Sequence, residues 1–281
     1  MRAEDARAAR SGQGAAEPML AVEGLRKTFE GPPSLEVLAG VDFTVGEGEF
    51  VSVVGPSGCG KTTLLLLLSG LQRADAGSVL FAGNPVRDAT PEGMAIVFQD
   101  YSRSLLPWKT NLGNVLFGMR RVVGMSPSQK MEHAAGLLEA VGLDGFADRY
   151  PWQLSGGMQQ RVAIARGLAS QSRLLLLDEP LASVDAQTRA DLQDFLLGIA
   201  KRYRQTCVLV THDVEEAIYM GDRIVVLSGR PARVVREIEV PLPRPRDQIE
   251  TREHATFLAI RHDVLSLIRS ERRAVGRGAA P

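Results

Sequence analysis

One nine-residue run, Gly55-Pro56-Ser57-Gly58-Cys59-Gly60-Lys61-Thr62-Thr63, constrains this chain more than any other segment. It fits the pattern G-x-x-x-x-G-K-[ST]. An apolar run, Phe50–Val54, precedes it, and an apolar segment, Thr62–Ser69 closed by Gly70, follows it. That order predicts a strand, a loop and a buried helix. Gly58 and Gly60 permit backbone angles and close approaches that a Cβ would block. Successive backbone N–H groups can then face inward as a nest for phosphate oxygens. The following helix aims its positive end at the same anion. Lys61 suits the β- and γ-phosphates of a nucleoside triphosphate, and the Thr62 hydroxyl suits Mg²⁺.

A second apolar run, Leu174–Leu177, ends in Asp178-Glu179. Ligands of open α/β sheets bind at the C-terminal ends of the strands, which is where this acid pair falls. Asp178 is placed to hold the magnesium shell, and Glu179 to orient or deprotonate a water. Strand-like segments also appear at Leu20–Phe29, Val37–Val45, Ser78–Ala82, Ala95–Phe98, Cys207–Val210 and Ile224–Leu227. A Gly-Pro-Pro turn, Gly31–Pro33, separates the first two. Helical spacing marks Ala186–Arg202, through Leu192, Phe195, Leu196 and Ile199. Strands alternating with helices predict an α/β fold with a mainly parallel sheet covered on both faces. Ser102–Gly167 changes to helical periodicity, clearest over Ser128–Ala140, and reads as a helical insertion. The tail holds a Pro-rich stretch, Pro241–Pro245, and then a helix over about Glu253–Arg269. Its stripe of Phe257, Ile260, Val264 and Ile268 is expected to pack on the chain's own body.

Composition narrows the function. The 33 Lys and Arg residues balance 33 Asp and Glu, so the field that holds a protein on nucleic acid is missing. Aromatic residues make up only 5%, too few for base-stacking platforms. Cys59 and Cys207 cannot build a disulfide framework and suit a reducing compartment. The longest apolar runs, Leu64–Leu68 and Leu174–Leu177, fall far short of the ~18 residues of a membrane span. Met1–Pro18 has no signal-like apolar stretch and reads as a disordered extension. A cytoplasmic protein is expected, with any membrane component supplied by a partner.

Leu154-Ser155-Gly156-Gly157-Met158-Gln159-Gln160-Arg161 names a family. Ser155 is a good N-cap, and with two glycines at a helix start it makes a second anion site. Two such sites make sense if two copies pair head to tail, each closing the other's nucleotide. The set resembles the ATP-binding-cassette (ABC) ATPases, whose signature is LSGGQ, with Met158 at the usual Gln position. The resemblance covers about Met19–Arg246. It implies a P-loop NTPase with a mainly parallel core, an N-terminal antiparallel β subdomain and a helical subdomain at about 102–167. A tail follows over 247–281.

The same resemblance assigns further roles. Gln99 resembles the Q-loop glutamine that touches Mg²⁺ and relays to a membrane partner. Asp185 resembles the D-loop acid that crosses the dimer interface, with Val184 departing from the usual Leu. His212 resembles the switch histidine at the γ-phosphate. Phe29 looks like the aromatic that stacks on adenine, where Tyr is more usual, with a core aromatic as its other reading. Leu106-Pro107-Trp108 with Asn114-Val115, Asp185–Arg189, Thr211–Ala217 and Leu242–Asp247 look like the nitrate/sulfonate/taurine importer branch. That implies an ATPase peripheral to the inner face of the cell membrane. Its partners would be a second copy, a permease docking on Gln99–Trp108 and, indirectly, a solute-binding protein. Trp108 could equally be a buried anchor. A soluble non-transport ABC protein, a non-hydrolysing regulator and an exporter subunit are the alternatives.

Overall fold

The computed structural model describes residues 17–100, 104–182 and 184–278, with side chains described through residue 273. Most of the extension expected at Met1–Pro18 therefore lies outside the described residues, as does Ser183 beside the D-loop acid.

Two sheets organise the body. The first has order β2-β1-β4-β5 and is antiparallel: β1 (Leu20–Phe29), β2 (Leu35–Val45), β4 (Ala76–Phe81) and β5 (Asn84–Pro85). The second has order β10-β9-β3-β8-β7-β6, from β3 (Phe50–Val54), β6 (Met94–Val97), β7 (Leu174–Asp178), β8 (Thr206–Val210), β9 (Arg223–Leu227) and β10 (Val234–Glu239). Its strands run parallel except β10, which pairs antiparallel with β9. The expected mainly parallel core and antiparallel subdomain are both present.

Side chains alternate across the central strands and divide between two cores. Leu174 and Leu176 of β7 and Val208 and Val210 of β8 pack toward the antiparallel sheet and helix α1 (Lys61–Leu68). Leu175, Leu177, Cys207 and Leu209 pack toward the other helices. A strand buried on both faces has no polar face to show, which is why these runs read as continuous apolar blocks.

Between β6 and β7 lie α2 (Asn111–Gly118), α3 (Pro127–Ala140) and α4 (Gly156–Ala169), where the helical insertion was expected. Ser126 opens α3 in a reciprocal capping box with Gln129. Beyond it come α5 (Ala186–Tyr203) and α6 (Val214–Met220).

The tail departs from its expected single helix. Asp247 accepts the N–H groups of Ile249 and Glu250, starting a short α7 (Glu250–Glu253) early. His254 Nδ1 then accepts Thr256 N–H at 3.2 Å and opens α8 (Ala255–Gly278). Phe257, Ile260, Val264 and Ile268 are buried in the core that holds Tyr219 and Ile224, as the stripe predicted. Phe257→Ala should cost about 3–5 kcal/mol, read as a lower urea midpoint with an unchanged m-value.

β10 was missed by sequence reading. Its Arg236, Glu237 and Glu239 break the apolar pattern, and its ladder is supplied by β9 rather than by local preference.

Candidate active site

The parallel strands end on one edge. Register pairs Val97 with Leu177, Asp178 with Val210, and Val53 with Val210. Residues just past those ends, Gly55, Gln99, Glu179 and His212, therefore converge from segments far apart in sequence.

The phosphate loop follows β3 and enters α1. Gly58 and Gly60 take φ of +73° and +115°. A Cβ on Gly60 would lie 2.5 Å from Val37 Cγ1, so the loop and the antiparallel subdomain can meet only over glycine. Lys61 is buried, and its Nζ donates to Gly55 O at 3.0 Å and Pro56 O at 3.2 Å. Cys59 N–H donates to Pro56 O. The loop's inward donors thus rest on its own carbonyls, ready for exchange onto a stronger anionic acceptor.

Asp178 is buried beside it, and Thr62 Oγ1 donates to Asp178 Oδ1 at 3.4 Å. Burial pushes this carboxyl up to about 6, a cost that the Thr62 hydrogen bond only partly offsets. A divalent cation held by these hard oxygens would relieve that cost, so the donor set fits magnesium. Glu179 has φ of +44°, in the left-handed region that non-glycine residues rarely adopt. Its backbone is pinned there: its N–H donates to Val210 O at 2.8 Å, and its carbonyl accepts Ala182 N–H at 3.2 Å. That conformation turns its carboxylate toward two neighbours. Glu179 Oε2 accepts Gln99 Nε2 at 3.1 Å and meets His212 Nδ1 at 2.9 Å.

Phe29, Leu35, Val37, Ser57, Gly58, Gly60, Lys61, Thr62, Thr63, Gln99, Glu179, His212 and Arg230 line one cavity of about 560 Å³. Phe29 is 39% exposed at its mouth, so the core-aromatic reading fails and a stacking face is available.

The remaining predicted residues lie elsewhere. Leu154, Ser155, Gly156, Gly157, Met158 and Gln159 do not line that cavity. Ser155 caps α4 by accepting Met158 N–H, and Gln159 Nε2 donates to Leu154 O. Asp185 caps α5 through Thr188 N–H at 3.0 Å, which holds its carboxyl below the usual range. Gln160 was overlooked as a site residue. It is fully buried, and its Nε2 donates at 3.3 Å to the carbonyl of Glu179. It ties α4 to the strained backbone of Glu179; a polar residue on the inward face of α4 was the only local signal.

Comparison with known proteins gives this geometry a lineage. A model of the ABC transporter family matches residues 38–182. The chain is 45% identical over 253 residues to an uncharacterized ABC transporter ATP-binding protein of Methanocaldococcus jannaschii, covering 90% of this chain and 92% of that one. This chain belongs to the ABC transporter family. An aliphatic sulfonates import ATP-binding protein of Agrobacterium fabrum is 43% identical, with 91% of each chain covered. A nitrate import ATP-binding protein of Synechocystis is 39% identical over 93% of this cassette, which spans only 39% of that longer protein. Among solved structures, a dimeric ATP-binding cassette in a post-hydrolysis state bound to ADP and Pi matches with TM-score 0.71 and 32% identity. It covers 79% of this chain and 99% of that one. The relatives named for import of nitrate and of aliphatic sulfonates are thus ATP-binding cassettes of this same family. Among the described residues no helix is long and apolar enough to cross a membrane.

Proposed function

We propose that two copies of this cassette sandwich two ATP molecules and drive a separate permease that imports a small oxyanion of the nitrate or sulfonate class. The carrying observation is the separation within one chain. The capped, glycine-rich start of α4 is built like an anion site, yet it contributes nothing to the chain's own cavity. In a head-to-tail pair each Ser155–Gly157 segment would close over the γ-phosphate held by the other copy's Gly55–Thr63. Phe29 would stack on adenine. Thr62, Asp178 and Gln99 would hold the magnesium ion, which when bound neutralises charge on the β- and γ-phosphates. Lys61 exchanges its two carbonyl partners for phosphate oxygens. Glu179 aligns the attacking water and takes its proton, while His212 holds the γ-phosphate. Asp185 faces the partner copy. Hydrolysis removes the bridge between the halves, and the pair opens. The assembly would sit on the inner face of the cell membrane.

The surface for the permease is built in the insertion. Asn114 is fully buried; its Oδ1 accepts Leu106 N–H at 2.8 Å, and its Nδ2 donates to Leu106 O and Thr110 O. This clamp fixes the loop and leaves Trp108 71% exposed, so the buried-anchor reading does not hold. An exposed indole on a loop held by this clamp fits an interface anchor. Trp108→Ala should keep the free chain's ATPase within about twofold and cut solute uptake by the whole transporter by about tenfold, measured in vesicles. Unchanged uptake would remove this loop from the interface.

A further inference from the structure

The β9–β10 turn carries a cation that neither the sequence motifs nor the family signature accounts for. We infer that Arg230 is a positioning residue for the phosphate loop, holding the Gly58 carbonyl on its guanidinium so that the Cys59 N–H stays available to ATP. This inference rests on the reading of the cavity as an ATP site.

Arg230 Nε donates to Gly58 O at 3.0 Å, and Nη2 donates to the same oxygen. Carbonyl and amide of a trans peptide point in opposite directions. Fixing Gly58 O on Arg230 therefore aims the next amide, Cys59 N–H, away from that guanidinium, where it now meets Pro56 O. Gly58, at φ of +73°, has the freedom to turn its carbonyl the other way. A carbonyl turned inward would oppose the phosphate charge. The two-pronged contact suppresses that alternative, and the guanidinium adds positive charge next to the loop.

Its support is rigid. Ala232 bridges to β2 through Ala232 N–H to Val37 O at 2.8 Å and Ala39 N–H to Ala232 O at 3.0 Å. Gly229 N–H donates to Glu271 Oε2 of α8 at 3.3 Å. Leu227, at the end of β9, packs on Gly55, where a Cβ would come within 3.1 Å of it. The turn is thus tied to the antiparallel sheet, to the terminal helix and to the root of the phosphate loop. Arg230 itself lines the nucleotide cavity beside Lys61.

The test uses the full chain with Arg230→Ala, Arg230→Gln and Arg230→Lys. A fluorescent ATP analogue titrated in EDTA reads binding without turnover, and steady-state ATPase reads KM and kcat separately. Loss of both donors should raise Kd and KM about tenfold with kcat at saturation within about twofold. Lys should recover part of the affinity, since it restores the charge and one donor. The Arg230 side chain is exposed, so the variants should melt with the unmodified chain, and Gln keeps most of the volume if Ala does not. Binding by Ala and Gln variants within about twofold of the unmodified chain overturns the inference and leaves the ATP site standing. A fall in kcat with unchanged Kd overturns it equally. Failure of the unmodified chain to bind the analogue overturns the ATP-site reading and this inference with it.

Discussion

Glu179→Gln will lower steady-state ATP turnover by about 10²–10³-fold while leaving ATP binding intact, and ATP-bound dimer will accumulate. The size follows from removing a proton acceptor from the reacting water. The geometry should survive. Glutamine keeps an oxygen able to accept from Gln99 Nε2, now 3.1 Å from Glu179 Oε2, and the left-handed backbone is set by Val210, Ala182 and Gln160 rather than by the carboxylate. What is lost is basicity. Gel filtration with ATP, beside a phosphate-release assay, checks both halves. A variant that hydrolyses ATP at the parental rate, or that never dimerises with ATP, would remove Glu179 from this role.

Ser155→Arg and Lys61→Ala should each abolish turnover alone, and mixing them should bring part of it back. In a mixed pair, the Ser155→Arg copy keeps its phosphate loop and the Lys61→Ala copy keeps its signature. Those two intact halves face each other across one interface and leave the second pocket doubly damaged. Random pairing makes roughly half the dimers mixed, so recovery should approach about one quarter of parental activity if the pockets act independently. Ser155→Arg also removes the cap on Met158 N–H, at about 1 kcal/mol, too little to unfold the chain. Full activity from Ser155→Arg alone would show that the pocket is complete within one copy. No recovery on mixing, with dimers present, would show that the halves do not meet.

How much of the site could be read from residues differs by segment. The phosphate loop and its flanks were legible because their chemistry is local: strand, glycines, lysine and hydroxyl occupy consecutive positions, and the α1 boundary came within one residue. Asp178-Glu179 was legible for the same reason. His212 and Gln99 have no such neighbourhood. Each follows a short apolar run among other polar residues, and only their order along the chain, through family resemblance, singled them out. Gln160 and Arg230 escaped altogether. Gln160 lies inside a motif but acts on a carbonyl 19 positions away. Arg230 acts across a separation of 172 positions. Neither pair falls within one secondary-structure element.

The tail makes the same point. Its apolar stripe announced an amphipathic helix. Its polar contacts were not announced: Arg252 and Arg261 both reach Glu215, at 3.2 and 2.9 Å, on the first turn of α6, just after His212.

Hydrophobic period, turn chemistry and a contiguous anion nest act over a few residues, so the order of amino acids alone was enough to specify them. The convergence of four strand ends, the strained setting of Glu179 and the exile of Ser155 from its own cavity needed the folded chain. They depend on register between strands and on which face of a helix meets which core, and those choices are made by packing among distant segments.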